Sequence, residues 1–286
     1  MIRLLAVDVD GTLLDSQGSV PPENRAALAA AVDAGVEVTL VTGRSFHFTR
    51  PVADLLDLPV TLIVNNGAIV KSGSGATKMR RLLPRATAQI VLDATGAFAD
   101  SVALVFDRPD ERQIVYERMD WSHPHRRGYY EKNLAFITPA TAGLADALVE
   151  DPIQVMFNGG VAPMRELAGA LRAAPGAAAY AVAITEYERR DFSLIDVNAA
   201  GCSKGSTLAR WAGQCGLDRR QVMAVGDNLN DLEMLAFAGT AVVMGNATGA
   251  MKALGYRVTG TNDEGGLAAA VYTCVLDESS EAANGR

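Results

Sequence analysis

Two aspartates, Asp8 and Asp10, stand one residue apart at the end of the apolar run Ile2–Val9. Residues i and i+2 of a strand share a face, so both carboxylates point one way while Val7 and Val9 point the other. Like charges side by side at the tip of a core strand are costly unless something offsets them. Gly11 follows, permitting a sharp exit and close approach of backbone amides. Alone, Asp-x-Asp-Gly is too short to separate chemistry from a turn or cap formed by Asp10 or Asp15.

Three further stretches bear on that choice. Val38-Thr-Leu-Val-Thr42-Gly43-Arg44-Ser45 ends a second apolar run with a hydroxyl and a glycine before a helix start, which suits either capping or an anion. Gly201-Cys-Ser-Lys204-Gly205 places a lysine in the first turn of a helix, where the macrodipole disfavours it and a fixed anion would explain it. Val222-Met-Ala-Val-Gly226-Asp227-Asn-Leu-Asn230-Asp231 repeats the opening theme of a buried strand ending in carboxylates. Four junctions thus offer Asp8 and Asp10, Thr42, Lys204, and Asp227, Asn230 and Asp231 to one edge of one sheet. Carboxylates that must stay ionised together call for a cation, and all-oxygen ligation suits Mg²⁺. A hydroxyl, a lysine and amides suit a phosphoryl group. The inferred chemistry is phosphoryl transfer.

The elements that must position these residues follow from the same chain. Ile2–Val9, Val36–Val41 and Val60–Val64 read as buried strands, separated by helices at Pro21–Ala34 and Ser45–Leu56. Prolines near the start of the first helix and Gly35 past its end fit helix termini, and Ser45 can cap the second. This alternation implies parallel βαβ units and a doubly wound sheet. The rhythm then changes. Ala68–Val70 and Met79–Leu83 read as a hairpin around a Gly/Ser loop, Pro84–Phe98 as a helix, and Ser101–Phe106 with Gln113–Glu117 as adjacent strands. A helix at Ala142–Glu150, a strand at Ile153–Phe157, a helix at Pro163–Ala173 and strands at Ala179–Ile184 and Phe192–Val197 follow. The α+β pattern marks a separate inserted domain. Helices at Ser203–Gln214, Asn230–Ala238, Ala247–Leu254 and Glu264–Leu276, with strands at Val222–Val225 and Ala241–Met244, restore the first rhythm. The expected domains are a core of residues 1–82, an insertion of 83–190, a second core part of 191–276, and a disordered polar tail at 277–286.

Bulk properties narrow the partners. The chain of 286 residues is 49% hydrophobic and 21% charged, as ordinary globular proteins are, and is long enough for two domains. A net charge of -7 argues against nucleic acid or an anionic membrane as the main partner. Cys202, Cys215 and Cys274 are an odd set without a Cys-x-x-Cys pair, so they read as free, small buried hydrophobes in a reducing, cytoplasmic setting. No run approaches the roughly 20 apolar residues needed to span a bilayer. The expected state is a monomer or weak homodimer.

Asp8-Val-Asp10-Gly-Thr-Leu-Leu14, Thr42-Gly-Arg44, Lys204-Gly205 and Gly226-Asp-Asn-Leu-Asn-Asp231 resemble the four motifs of the haloacid dehalogenase superfamily. Their order and spacing are most similar to the Cof-type phosphatases, which carry a type IIB α/β cap between the second and third motifs. Asn65-Asn-Gly-Ala68 resembles the segment that these proteins have after the third strand. The resemblance implies a Rossmann-like α/β core with an inserted α+β cap that sets specificity. It implies Asp8 as the nucleophile that forms an aspartyl-phosphate, and Asp10 as general acid and base. Mg²⁺ would be held by the Asp8 carboxylate, the Asp10 backbone carbonyl and Asp227. Thr42, Gly43, Lys204 and Asn230 would bind the transferring phosphoryl group, with Gly11 and Asp231 in support.

The reading is a Mg²⁺-dependent phosphatase for a small phosphorylated metabolite, such as a sugar phosphate. A phosphomutase uses the same intermediate and is the alternative. A phospho-accepting signalling domain shares an acidic pocket and a lysine, but Asp10 and the large insertion oppose it, and the full set of reactive groups opposes a silent binding module. In the insertion, Tyr116-Glu-Arg-Met-Asp-Trp121-Ser-His-Pro-His125-Arg-Arg-Gly-Tyr-Tyr130 could contact a sugar or nucleotide phosphate, and a surface loop with buried tyrosines is the other reading. His123 and His125 lack further ligands and are not read as a metal pair. His47 reads as a helix-surface histidine.

Overall fold

The computed structural model describes residues 1–109 and 112–277. The chain divides into two units, one of Met1–Arg80 with the chain from Ser203 onward, the other of Arg81–Cys202. In chain order the first unit begins with β1 (Leu4–Val7), α1 (Pro22–Asp33), β2 (Glu37–Val41), α2 (Phe46–Leu56), β3 (Val60–Val64), β4 (Ile69–Ser72) and β5 (Thr77–Arg80). The second holds α3 (Arg85–Ala94), β6 (Val102–Val105), β7 (Ile114–Tyr116), α4 (Pro124–Asn133), β8 (Ile137–Pro139), α5 (Leu144–Ala147), β9 (Gln154–Gly159), α6 (Val161–Ala173), β10 (Tyr180–Tyr187) and β11 (Phe192–Ala199). The first unit resumes with α7 (Lys204–Gln214), β12 (Val222–Gly226), α8 (Leu232–Phe237), β13 (Thr240–Val243), α9 (Gly249–Lys252), β14 (Arg257–Val258) and α10 (Gly266–Val271).

Short β-branched runs give the first unit its central strands, every residue of β1 and β12 being buried. The sheet runs β14-β13-β12-β1-β2-β3-β4-β5. Pairings from β14 to β3 are parallel, and the β4–β5 hairpin adds two antiparallel strands at the edge. Leu4 and Ala6 pack in one core cluster with Leu208 and Ala212 of α7 and with Met234 and Leu235 of α8. Alternation sends Leu5 and Val7 to the opposite face, the side of α1, which packs on β2 and α10. Helices on both faces make the sheet doubly wound. Strand order reverses between β1 and β12, and open α/β sheets hold ligands beyond the carboxyl ends of the strands at that switch point.

The second unit is a six-stranded sheet ordered β10-β11-β9-β6-β7-β8, antiparallel except for the β7–β8 pair. Its apolar face, including Val155, Phe157, Ile195 and Val197, packs against α3 and α6. Residues 191–202, expected with the second core part, fall in this unit because β11 pairs along its length with β10 and also with β9.

Several local expectations differ in detail. The Pro84–Phe98 helix ends at Ala94 and passes into a 3₁₀ turn, and the helix expected over Ala142–Glu150 is one turn. The stretch 116–130, for which a surface loop is one of two readings, runs into α4 (Pro124–Asn133), with Pro124 at its first position. Ser45 does precede α2, but its hydroxyl makes no capping bond. The three cysteines are free, yet Cys215 is exposed at the end of α7, where its thiol lies 3.4 Å from Glu37 Oε2. The side chains of His125 and Tyr130, and the tail from residue 278, lie outside the described residues. Among the described residues no helix is long and apolar enough to cross a membrane.

Candidate active site

All the residues singled out by the motifs lie in the first unit. β1 ends at Val7, so Asp8 and Asp10 stand in the loop beyond the strand rather than on it. That loop is closed by Leu13 N donating to Asp8 O at 3.2 Å and Leu14 N donating to Val9 O at 3.0 Å. Asp8 N still donates to Val225 O at 3.0 Å, which extends the β1–β12 pairing and sets Asp8 beside the Gly226-Asp227 turn.

Lys204 joins the two strand ends. Its Nζ donates to Asp8 Oδ1 and to Asp231 Oδ1, both at 2.6 Å. Asp8, Lys204 and Asp231 are 4%, 1% and 0% exposed, so this is a buried ion-pair triad rather than a surface pair. Asp231 Oδ2 accepts from Asp227 N and Asn228 N, each at 3.0 Å, so both its oxygens are engaged. No described residue donates to Asp8 Oδ2, which leaves that oxygen for chemistry.

Backbone geometry makes this approach possible. Gly226 lies so close to Asp231 that a Cβ would sit 2.6 Å from its carboxyl carbon. Gly205 meets the backbone of Glu233, where a Cβ would fall 2.3 Å from the carbonyl carbon. The start of α7 can therefore touch α8, and that contact sets the depth of Lys204. Ser203 and Ser206 exchange a capping box at the same terminus, and Thr207 Oγ1 donates to Gly67 O at 2.8 Å.

Electrostatics follow from burial. Desolvation, then the neighbouring Asp231 and Asp10, push Asp8 from its ordinary 3.8 up to about 7, with Lys204 pulling the other way. Burial, followed by the charges of Asp8 and Asp231, raises Asp227 as well. Burial works against the Lys204 ammonium, but Asp231 and Asp8 outweigh it and hold its proton more tightly than in an ordinary lysine. Three ionised carboxylates meeting one ammonium leave the site two positive charges short.

A divalent cation fits that deficit. Asp8, Asp227 and Asp231 each bring an oxygen within 4.8 Å of the others. Asp227 Oδ1 is buried with no hydrogen-bond partner among the described residues. Hard oxygen donors of this kind suit Mg²⁺. Asp10 does not join the cluster through its side chain. Arg44 Nε donates to Asp10 Oδ2 at 2.7 Å and Nη2 to Oδ1 at 2.5 Å.

Thr42 is buried and its hydroxyl accepts from Arg44 N at 3.1 Å, which leaves the hydroxyl proton to donate elsewhere. Asn230 Nδ2 donates to Asn66 Oδ1 at 2.9 Å. Asn66 N donates to Thr42 O at 3.0 Å, so the loops after β2, β3 and β12 are tied together. Gly43 lies against the Asn66 amide, where a Cβ would come within 3.2 Å. Asn66 holds φ 53°, a left-handed conformation that asparagine tolerates better than most residues.

Sequence reasoning gave no role to Arg44, Asn66 or Asn246, all of which bond to motif residues. The signals available were an arginine directly after Thr42-Gly43, an Asn-Asn-Gly cluster after a strand, and Gly245-Asn246 after another.

Comparison with known proteins identifies the family. The family model of haloacid dehalogenase-like hydrolases matches residues 5–271. The 5-amino-6-(5-phospho-D-ribitylamino)uracil phosphatase YcsE of Bacillus subtilis is 29% identical over 96% of this chain and 96% of its own. The HMP-PP phosphatase of Serratia proteamaculans is 33% identical over 89% of this chain and 88% of its own. The solved structure of the subclass IIB sugar phosphatase BT4131 superposes with a TM-score of 0.75, covering 95% of this chain and 98% of that one, and at 21% identity the likeness is one of fold. The chain belongs to the haloacid dehalogenase-like hydrolases.

Proposed function

We propose that this enzyme hydrolyses small phosphomonoesters through an aspartyl-phosphate on Asp8, with Mg²⁺ as its cofactor. That it is a phosphatase follows from the family and from curated relatives that are named phosphatases. The observation that carries the route is the division of labour at Asp8, where Lys204 holds Oδ1 and no described residue donates to Oδ2.

In the proposed reaction Asp8 Oδ2 attacks phosphorus, the bond to the ester oxygen breaks, and Asp10, with one oxygen released from Arg44 and protonated, gives that proton to the departing alkoxide. Asp10 then takes a proton from water as that water attacks the acyl-phosphate, so that Asp8 is regenerated and inorganic phosphate leaves. Thr42, the amide of Gly43, Lys204 and Asn230 are assigned to the phosphoryl oxygens, where their donors offset negative charge. Asp8, the Asp10 backbone carbonyl and Asp227 would hold Mg²⁺, which would supply positive charge to offset repulsion between the nucleophile and a phosphate dianion. Gly11 permits the loop its close approach, and Asp231 orients Lys204.

Selection of the leaving group is assigned to the unit Arg81–Cys202, which interrupts the first unit between its second and third motifs. The relatives named above are phosphatases named for a ribitylaminouracil phosphate and for HMP-PP. These support a small phosphorylated metabolite as the substrate here. Turnover of p-nitrophenyl phosphate by the wild type and by Asp8→Asn, with and without Mg²⁺, tests the reading. Hydrolysis that persists in Asp8→Asn at the wild-type rate overturns it.

A further inference from the structure

One side chain outside the four motifs ties the Gly11 loop to Asp227. Asn246 follows β13, and its Oδ1 accepts from Asn262 N at 3.0 Å. That bond fixes which way the amide lies, because only the carbonyl oxygen can face a backbone N–H. Nδ2 therefore points to the other side, where it donates to Gly11 O at 2.9 Å and to Asp227 Oδ2 at 3.3 Å. Asn262 is itself anchored, with Nδ2 donating to Leu14 O at 2.9 Å. Gly11 lies against the same oxygen. It adopts φ 80°, and a Cβ there would lie 2.4 Å from Asp227 Oδ2. Oδ2 is thus in contact with both Asn246 and Gly11, whereas Oδ1 is buried without a hydrogen-bond partner among the described residues.

We propose that Asn246 is a positioning residue for the metal-binding carboxylate. By holding Asp227 Oδ2 it turns Oδ1 toward the cation, and by holding Gly11 O it keeps the Asp10 segment at a set distance from Asp227. The inference rests on the reading of Asp227 as a Mg²⁺ ligand. Asn246 is exposed and supports no part of the hydrophobic core, so its truncation separates positioning from folding. Partners that orient a metal ligand change affinity by about 10- to 100-fold when removed.

The test is calorimetric titration of MgCl₂ into the EDTA-stripped full chain, beside thermal unfolding of the same metal-free samples. Wild type binds Mg²⁺ and Asp227→Asn loses that binding. Asn246→Ala binds about 10- to 100-fold more weakly, with a metal-free Tm within a few degrees of wild type. Its kcat at saturating Mg²⁺ stays within severalfold of wild type, while the Mg²⁺ concentration for half activation moves with the affinity. Unchanged affinity in Asn246→Ala overturns the proposal, as does an affinity loss that only accompanies a large fall in metal-free Tm. Wild-type protein that binds no Mg²⁺ overturns instead the metal reading beneath it, and does so before any substitution at position 246 is made.

Discussion

Arg44 grips Asp10 through both carboxylate oxygens, at 2.7 and 2.5 Å. A guanidinium fork fixes the plane of a carboxylate as well as its position, which an ammonium cannot do. Nη1 of the same arginine lies 3.4 Å from Phe48 O, so the orientation of Asp10 is referred to α2. Arg44→Lys keeps the charge and loses the fork. We expect kcat to fall about tenfold or more, because small misplacements of reacting groups are costly. Both side chains are about one-third exposed, so the stability change stays under about 1 kcal/mol. Steady-state kinetics with a denaturation curve checks both, and an unchanged kcat would remove Asp10 orientation from the account.

Lys204 is the cation between Asp8 and Asp231. Lys204→Met leaves two buried carboxylates facing each other, and removal of one partner from a buried pair costs about 3–5 kcal/mol. Urea unfolding should show a loss of that size together with loss of turnover. Adding Asp231→Asn should recover part of the stability and none of the activity, since the two positions are coupled. A single variant as stable as wild type would contradict the triad.

The raised proton affinity of Asp8 has a definite sign in stability. With a folded value of about 7 against an ordinary 3.8, the metal-free native state retains a proton that the unfolded chain releases in that interval. The native state binds more protons there, so stability contributed by this group is lost as pH rises from about 4 to about 7. Mg²⁺ held at Asp8, as proposed, would compete with that proton and would bind more tightly toward neutral pH. Thermal unfolding across the interval should decline without metal and flatten with saturating Mg²⁺. A metal-free Tm that climbs through the interval would contradict the assignment of the shift to Asp8.

Gly205 has ordinary backbone angles but no room for a side chain. Gly205→Ala must push α7 away from Glu233, which carries Lys204 away from Asp8. Overpacking of this kind costs about 1–3 kcal/mol. Unfolding free energy should drop by that amount and kcat with it. Gly213→Ala on the same helix, where nothing lies within 4 Å of the added atom, is the control and should do neither.

The core strands were legible because β1, β2, β3 and β12 are short apolar runs bounded by turn residues. Their carboxylates were legible because charge at the tip of a buried strand is costly enough to need a reason. Lys204 showed itself by sitting where the helix dipole opposes it. Residues whose role depends on distant partners stayed hidden. Arg44 meets Asp10 34 residues away, and Asn246 meets Gly11 across 235. α4 carries Gly128 and little apolar periodicity. It is held instead by Arg126, only 7% exposed, which donates to Asn158 Oδ1 at 2.6 Å and to Ser101 Oγ at 2.9 Å. β8 and β14 are two or three residues long and exist only through pairing with a neighbour.

Covalent capture at Asp8 is the most direct test of the central claim. Wild-type enzyme mixed with a phosphomonoester and Mg²⁺, quenched in acid within the first turnover and digested, should yield the phosphoryl group on the peptide bearing Asp8. Asp8→Asn should yield none and release no phosphate. A phosphorylated residue elsewhere, or a burst of product without any phosphorylated peptide, would contradict the account.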